Sequence, residues 1–263
     1  MKNIFGDLKE IYEYRNVLRS LVSKNLYGRY RNSILGFAWN YITPLILMLM
    51  YYIIFTEVRD SGNIENKWAF LSAAIFAFHF MTSCIIGGTN AFTGNASMMK
   101  KMYFPREILV LSKIISSLIV CLIGYLFVII TIILTSYPLD WSYFFYFPII
   151  VILMVIFGTG CVFLLSSIAV YVRDIQYALG SMSIAFFVLT PMRYMAEDAQ
   201  GILNIIIWYN PLTYYVEVFH DILYWGTAPD TYYLLMCTVI AIVFFLIGYS
   251  AFRILKGGFI KRL

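Results

Sequence analysis

Six long apolar runs govern what this chain of 263 residues can fold into. They lie at about 34–55, 68–86, 108–135, 147–172, 175–190 and 232–254. A helix rising about 1.5 Å per residue needs about 20 apolar residues to cross about 30 Å of hydrocarbon. The runs are continuously apolar and do not alternate, which selects helices over barrel strands, since lipid offers no partner for an open backbone. Hydrophobic residues make up 62% of the chain and charged residues 13%, against about 45–50% and about 25% in soluble domains. Lipid must therefore solvate much of the surface. The expected fold is an all-α polytopic membrane protein. It has six transmembrane helices, an amino-terminal amphipathic interface helix, and two short re-entrant helices between spans five and six.

The lysines and arginines assign the sides. One set of segments carries Lys2, Lys9, Arg15, Arg19, Lys24, Arg29 and Arg31, then Lys100, Lys101 and Arg106, then Arg173, then Arg253, Lys256, Lys261 and Arg262. The alternate loops carry Arg59, Lys67 and Arg193 among many acids. Fifteen cations against three place both ends in the cytoplasm. The net charge of +5 is thus membrane asymmetry, assisted by anionic inner-leaflet lipid, and does not point to nucleic acid. Some thirty largely polar residues ahead of the first span argue against a cleavable signal. Cys84, Cys121, Cys161 and Cys237 fall singly within spans and read as small apolar packing residues.

Three parts follow: an interface segment over 1–33, a transmembrane domain over 34–254, and a cytoplasmic tail over 255–263. In the first, Ile11, Tyr14, Leu18, Leu21, Val22 and Leu26 recur at helical spacing with Arg15, Arg19 and Lys24 between them. That suits a helix lying on the membrane surface or packed on a partner. The connection after span five is irregular. Ile202–Tyr209 is a short apolar stretch closed by Asn210-Pro211, and Leu212–Trp225 reads as a second short helix. Neither can cross a bilayer alone. A hairpin over about 200–226, dipping in from the outer face, is expected, with a pair of surface helices as the alternative.

Catalytic patterns are nearly absent. There is no HExxH, no GxSxG and no GxxxxGK[ST], so ATP hydrolysis by a phosphate loop must come from another subunit. Glu217, His220 and Asp221 fall within about one helical turn and form the one candidate set for acid–base chemistry. Within the spans, Lys113 sits near enough to the cytoplasmic end to snorkel, and His79 is expected to hydrogen-bond across helices. Aromatic residues reach 19%. On span one, Phe37, Tyr41, Pro44, Met48, Tyr51 and Phe55 share a face. Such a stripe either packs helices together or lines a path for sugars, whose C–H faces sit on aromatic rings.

Several stretches together resemble a known family. Arg29-Tyr30-Arg31-Asn32-Ser33-Ile34-Leu35-Gly36-Phe37-Ala38-Trp39, followed by Pro44, is similar to the entry to span one in membrane subunits of ABC exporters for O-antigen, capsule and teichoic acid. Lys100-Lys101-Met102-Tyr103-Phe104-Pro105-Arg106 resembles that family's cytoplasmic loop ahead of span three. Arg173-Asp174-Ile175 resembles its pair after span four. Thr190-Pro191 with Tyr194, and Asn210-Pro211-Leu212, resemble its outer-face motifs. Arg193 departs from it, standing where the family usually has an apolar residue; a pairing with Glu197 or Asp198, or a contact with an acidic substrate, would account for it.

The resemblance implies a homodimer with two separate nucleotide-binding ABC ATPase subunits, exporting a lipid-linked polysaccharide across a bacterial or archaeal plasma membrane, the inner membrane in a Gram-negative cell. ATP and Mg would sit on the partner, with no cofactor on this chain. Coupling would fall to Met98, Lys100, Lys101, Phe104, Pro105, Arg106, Arg173 and Asp174. Span-one entry would use Arg29, Tyr30, Arg31, Ser33, Gly36 and Trp39. Phe37, Tyr41, Tyr51, Phe55, Phe186 and Phe187 would line the channel. Pro191, Arg193, Tyr194, Asn210, Pro211 and Tyr215 would form the outer gate. An intramembrane transferase acting on lipid-linked sugars, or an exporter of small molecules, is the alternative.

Overall fold

The computed structural model describes residues 10, 12–28, 33, 35–57, 64, 66–134, 139–192, 194, 196 and 200–262. Arg29, Tyr30, Arg31 and Arg193 lie outside them, as does the side chain of Phe55. Among the described residues every regular element is helical. Five helices are long and apolar enough to cross a membrane. In chain order, the helices are α1 (Arg15–Tyr27), α2 (Trp39–Glu57), α3 (Lys67–Gly88), α4 (Asn90–Thr93), α5 (Ala96–Lys101), α6 (Glu107–Leu134), α7 (Tyr146–Tyr171), α8 (Asp174–Ser181), α9 (Ser183–Leu189), α10 (Gly201–Tyr209), α11 (Pro211–His220), α12 (Thr231–Leu255) and α13 (Phe259–Arg262).

The fifth apolar run is where the expectation and the structure part. It is split at Met182 into α8 and α9, and together they are shorter than the five long helices. Gly180-Ser181 supplies the small, weakly helix-forming pair at which helices bend.

Around α3 the rest of the bundle is built. Asn66 caps it by accepting from Ala69 N at 3.1 Å, and it is buried over most of its surface, with His79, Thr82 and Ser83 as polar exceptions on one side. Small residues let its neighbours close in. The Phe76 ring lies on Gly124 of α6, and a Cβ on Gly88 would meet the Val162 side chain of α7 at 2.9 Å. Tyr125 of α6 donates to the Ala73 carbonyl at 3.1 Å. The tightest pair is α7 with α12, whose backbones touch at Gly160 and Gly248. All four cysteines are free and buried in these interfaces.

α1 turns its apolar face onto the bundle. Leu21 and Leu26 are buried while Arg15, Arg19 and Lys24 stay exposed. Asn25 donates to Ser112 of α6 at 3.3 Å, and Lys24 donates to Asn95 Oδ1, ahead of α5, at 2.8 Å. These contacts bring α1 and α5 to one end of the bundle, the basic end, where Phe92 of α4 also meets Phe259 of the tail at 4.9 Å. Asp140, Asp221 and Asp230 gather at the opposite, acidic end, where Gly226 packs on the Asp140 backbone.

Candidate functional site

A cavity of about 840 Å³ runs up from the basic end between α1, α2, α3, α6 and the α8–α9 pair. Its lower walls are polar: Asn40 and Thr43 from α2, Thr82 and Ser83 from α3, Ser116 and Ser117 from α6, and Gln176 from α8. Lys113 enters this space. Its Nζ donates to Ser83 Oγ at 3.0 Å, and that hydroxyl lies 3.0 Å from Ser117 Oγ. The side chain therefore points inward and does not snorkel to the surface. Neighbouring helices decide the matter: Gly87 leaves the room the ammonium fills, since a Cβ there would lie 2.9 Å from Nζ.

Aromatic rings bound the cavity further from the basic end. Tyr51 and Phe187 are 4.5 Å apart between ring centroids, and Phe78 meets Phe187 edge-on at 5.5 Å. All three line the cavity. The stripe expected on span one is thus divided. Tyr41 and Met48 are buried against the bundle, Phe37 sits between Tyr27 at 5.4 Å and Tyr41 at 5.5 Å, and Tyr51 faces the open space. Phe186 is half-buried, packed against the core, and does not line this cavity.

Span-one entry is a compact turn. Gly36 has φ +42°, a left-handed conformation that favours glycine. Trp39 Nε1 donates to Ser33 Oγ at 3.2 Å, closing the turn.

At the basic end the chain leaves α3 as two short pieces, α4 and α5, then runs extended from Met102 before α6 begins. Lys100, Lys101, Met102 and Tyr103 are exposed, Tyr103 at 78%. Met98 is half-buried and Phe104 is buried in the core. Pro105 ends the extended segment, a position where its ring blocks helix continuation backward. Arg106 faces inward along the tail: it donates to the Lys256 carbonyl and lies 5.5 Å from the Phe259 ring. Lys256 pairs with Glu107 at 3.5 Å, and Tyr171 donates to the Leu255 carbonyl at 3.0 Å. The loop ahead of α6 and the end of α12 are thereby tied together. Arg173 and Asp174 are exposed at the start of α8. The contact joining α8 to the short helices comes from Gln176, which donates to Thr93 Oγ1 at 2.9 Å, a residue the sequence did not single out.

At the acidic end, Asn210 caps α11 by accepting from Leu212 N at 3.1 Å and donates to Thr190 Oγ1 at 2.9 Å. Pro211 occupies the first turn, where its missing N–H costs nothing. Pro191 is buried, and Tyr194 donates to the Val188 carbonyl at 3.4 Å. Tyr215 is fully buried and donates to the Cys237 carbonyl at 3.0 Å. α10 is largely exposed, with Tyr209 at 86%, whereas α11 is packed against α3 and α12.

The Glu217, His220 and Asp221 set does not open to a substrate. His220 is fully buried, stacked on Phe70 at 3.8 Å between centroids, with Glu217 Oε2 3.8 Å from its Nδ1. Asp221 accepts from Asp230 N at 3.2 Å, and burial pushes its carboxyl up to about 6. Among the described residues, no three His, Cys, Asp or Glu side chains gather as metal ligands.

The chain is 26% identical over 259 residues to the O-antigen export system permease protein RfbA of Myxococcus xanthus, covering 97% of this chain and 98% of that protein. It is 28% identical over 250 residues to an O-antigen export system permease protein RfbA of Klebsiella pneumoniae, covering 94% and 95%. A second Klebsiella pneumoniae RfbA is 26% identical over the same length. The sequence pattern of the ABC-2 type transporter family matches residues 16–224, and the chain belongs to that family.

Proposed function

We propose that this chain is the membrane subunit of an ATP-driven exporter that moves a lipid-linked polysaccharide of O-antigen, capsule or teichoic acid type out of the cytoplasm. The observation that carries the reading is the near full-length likeness to O-antigen export permeases. The cavity supports it, since polar walls and aromatic rings suit a sugar better than a purely apolar cargo. A transferase centred on His220 is disfavoured because that imidazole is sealed under Phe70.

In this reading the basic end faces the cytoplasm. The α8–α9 pair with the segment after it makes the sixth crossing, and α10–α11 form a re-entrant hairpin from the outer face. The chain works as a homodimer with two ATPase subunits docked at the basic end, where Lys100, Lys101 and Tyr103 offer exposed contacts. Closure of the ATPases pushes α4 and α5, and the tie from Arg106 to Lys256 passes that push to α12. Pro191, Tyr194, Asn210 and Pro211 hold the outer end.

The test is complementation. Cells lacking the chain should retain lipid-linked polymer inside and regain surface polymer when it is restored, and the tagged chain should co-purify with an ATPase in equal number. Surface polymer independent of the chain, or purification with no ATPase, would sink the reading. Tyr103→Ala should lower ATPase co-purification with little change in the amount of folded permease.

A further inference from the structure

A lysine in the second turn of a membrane span has two options: run its stem along the helix to the nearby surface, or turn inward. Lys113 turns inward, although a cation within a membrane is costly and marks a functional position by default. Its place is built by other helices. Gly87 provides the space, Ser83 accepts from the ammonium at 3.0 Å, and Ser117 lies 3.0 Å beyond Ser83. Asn40, Thr82 and Gln176 add amide and hydroxyl groups to the same cavity. A compact ammonium among hydroxyl and amide groups, in an open cavity, is a setting for a phosphate oxygen. The rings of Tyr51, Phe78 and Phe187 stand further along the same space, where sugar faces could stack on them. At about 840 Å³ the cavity falls within the range of roughly 300–1,000 Å³ typical of small-molecule sites. It has room for a phosphate and its first sugars, not for a polymer.

We infer that the floor of this cavity binds the phosphate or diphosphate group of a lipid-linked sugar, with Lys113 as the cation and the hydrogen-bonded Ser83–Ser117 pair supplying one hydroxyl donor. The inference rests on the export reading and adds the chemistry by which the substrate is held at its anionic linkage.

The experiment uses the full-length chain in detergent with three probes: farnesyl diphosphate, farnesol and inorganic pyrophosphate. Trp39 lines the cavity, so tryptophan fluorescence reports occupancy. Farnesyl diphosphate should bind saturably, and Lys113→Gln should weaken it about tenfold or more, the effect of losing a charge-assisted hydrogen bond. Lys113→Arg should retain most of the affinity. Ser83→Ala and Gly87→Ala, which leave the charge in place, should cause smaller losses and guard against a folding defect in Lys113→Gln. Farnesol should respond to none of these changes. Tighter binding of farnesyl diphosphate than of pyrophosphate supports a lipid headgroup as the ligand; equal binding with the same dependence on Lys113 supports the phosphate site with a free phosphate as its source. Absence of saturable binding, or equal affinity in wild type and all four variants, overturns the proposal. Polymer export in cells reads the separate claim: a chain that exports but shows no Lys113-dependent binding loses this site alone. Lys113-dependent binding in a chain that exports nothing keeps the site and removes the export reading.

Discussion

α2 and α3 are both apolar helices of spanning length, and they have opposite fates. In α3, 78% of the apolar window is buried within the protomer; in α2 the share is 11%. Their residue sizes explain the difference. α3 presents Ser72, Ala73, Ala74, Ala77, Gly87 and Gly88, which let three neighbouring helices approach closely. α2 presents Leu45, Ile46, Leu49, Met50 and Ile53 outward, side chains that lipid or a second copy of the chain must cover. Hydropathy selects the membrane as solvent, and side-chain volume then decides which helix becomes the centre.

That contrast can be broken most directly by adding volume. Ala74→Leu, at a fully buried position of α3, should lower stability by about 1–3 kcal/mol through overpacking, while Ile46→Phe on the exposed face of α2 should stay within about 0.5 kcal/mol. Unfolding temperature in detergent measures both, and equal effects would refute the contrast. Next, Tyr125→Phe removes a buried donor and leaves the Ala73 carbonyl short of one partner; a loss of about 1 kcal/mol is expected. A smaller, pH-dependent effect belongs to Asp221, just beyond α11, which packs on α3. Its carboxyl is raised from 3.8 to about 6 by burial, so the fold favours the protonated form. Stability should rise as pH falls through about 6 and level off near 4, and Asp221→Asn should flatten that slope. Smallest on the protomer is Met50→Ala in α2, expected to leave unfolding unchanged; weaker cross-linking between copies would assign this face to a second copy, and unchanged cross-linking would assign it to lipid.

Much of this was legible in sequence. The long apolar runs correspond to five long helices and the broken α8–α9 pair, and Asn210-Pro211 marks the start of α11 because a cap and a first-turn proline are local devices. The amphipathic face of α1 was equally readable from its spacing. What sequence could not supply depends on partners far along the chain. Whether Lys113 snorkels or turns inward is decided by Gly87 and Ser83 on another helix. Arg106 stands in a recognisable motif, yet its contacts are Lys256 and Phe259 at the opposite end of the chain. The aromatic stripe on α2 was correctly periodic, but periodicity does not tell a ring that packs, like Tyr41, from one that faces a cavity, like Tyr51.

The meeting of Gly160 and Gly248 has a mechanical consequence. Where two backbones touch, no layer of side chains remains to change rotamer and absorb a displacement. α7 and α12 are therefore held as one unit at this crossing. Rearrangement within the bundle is left to its less tightly packed helices, such as α2, of whose window 11% is buried.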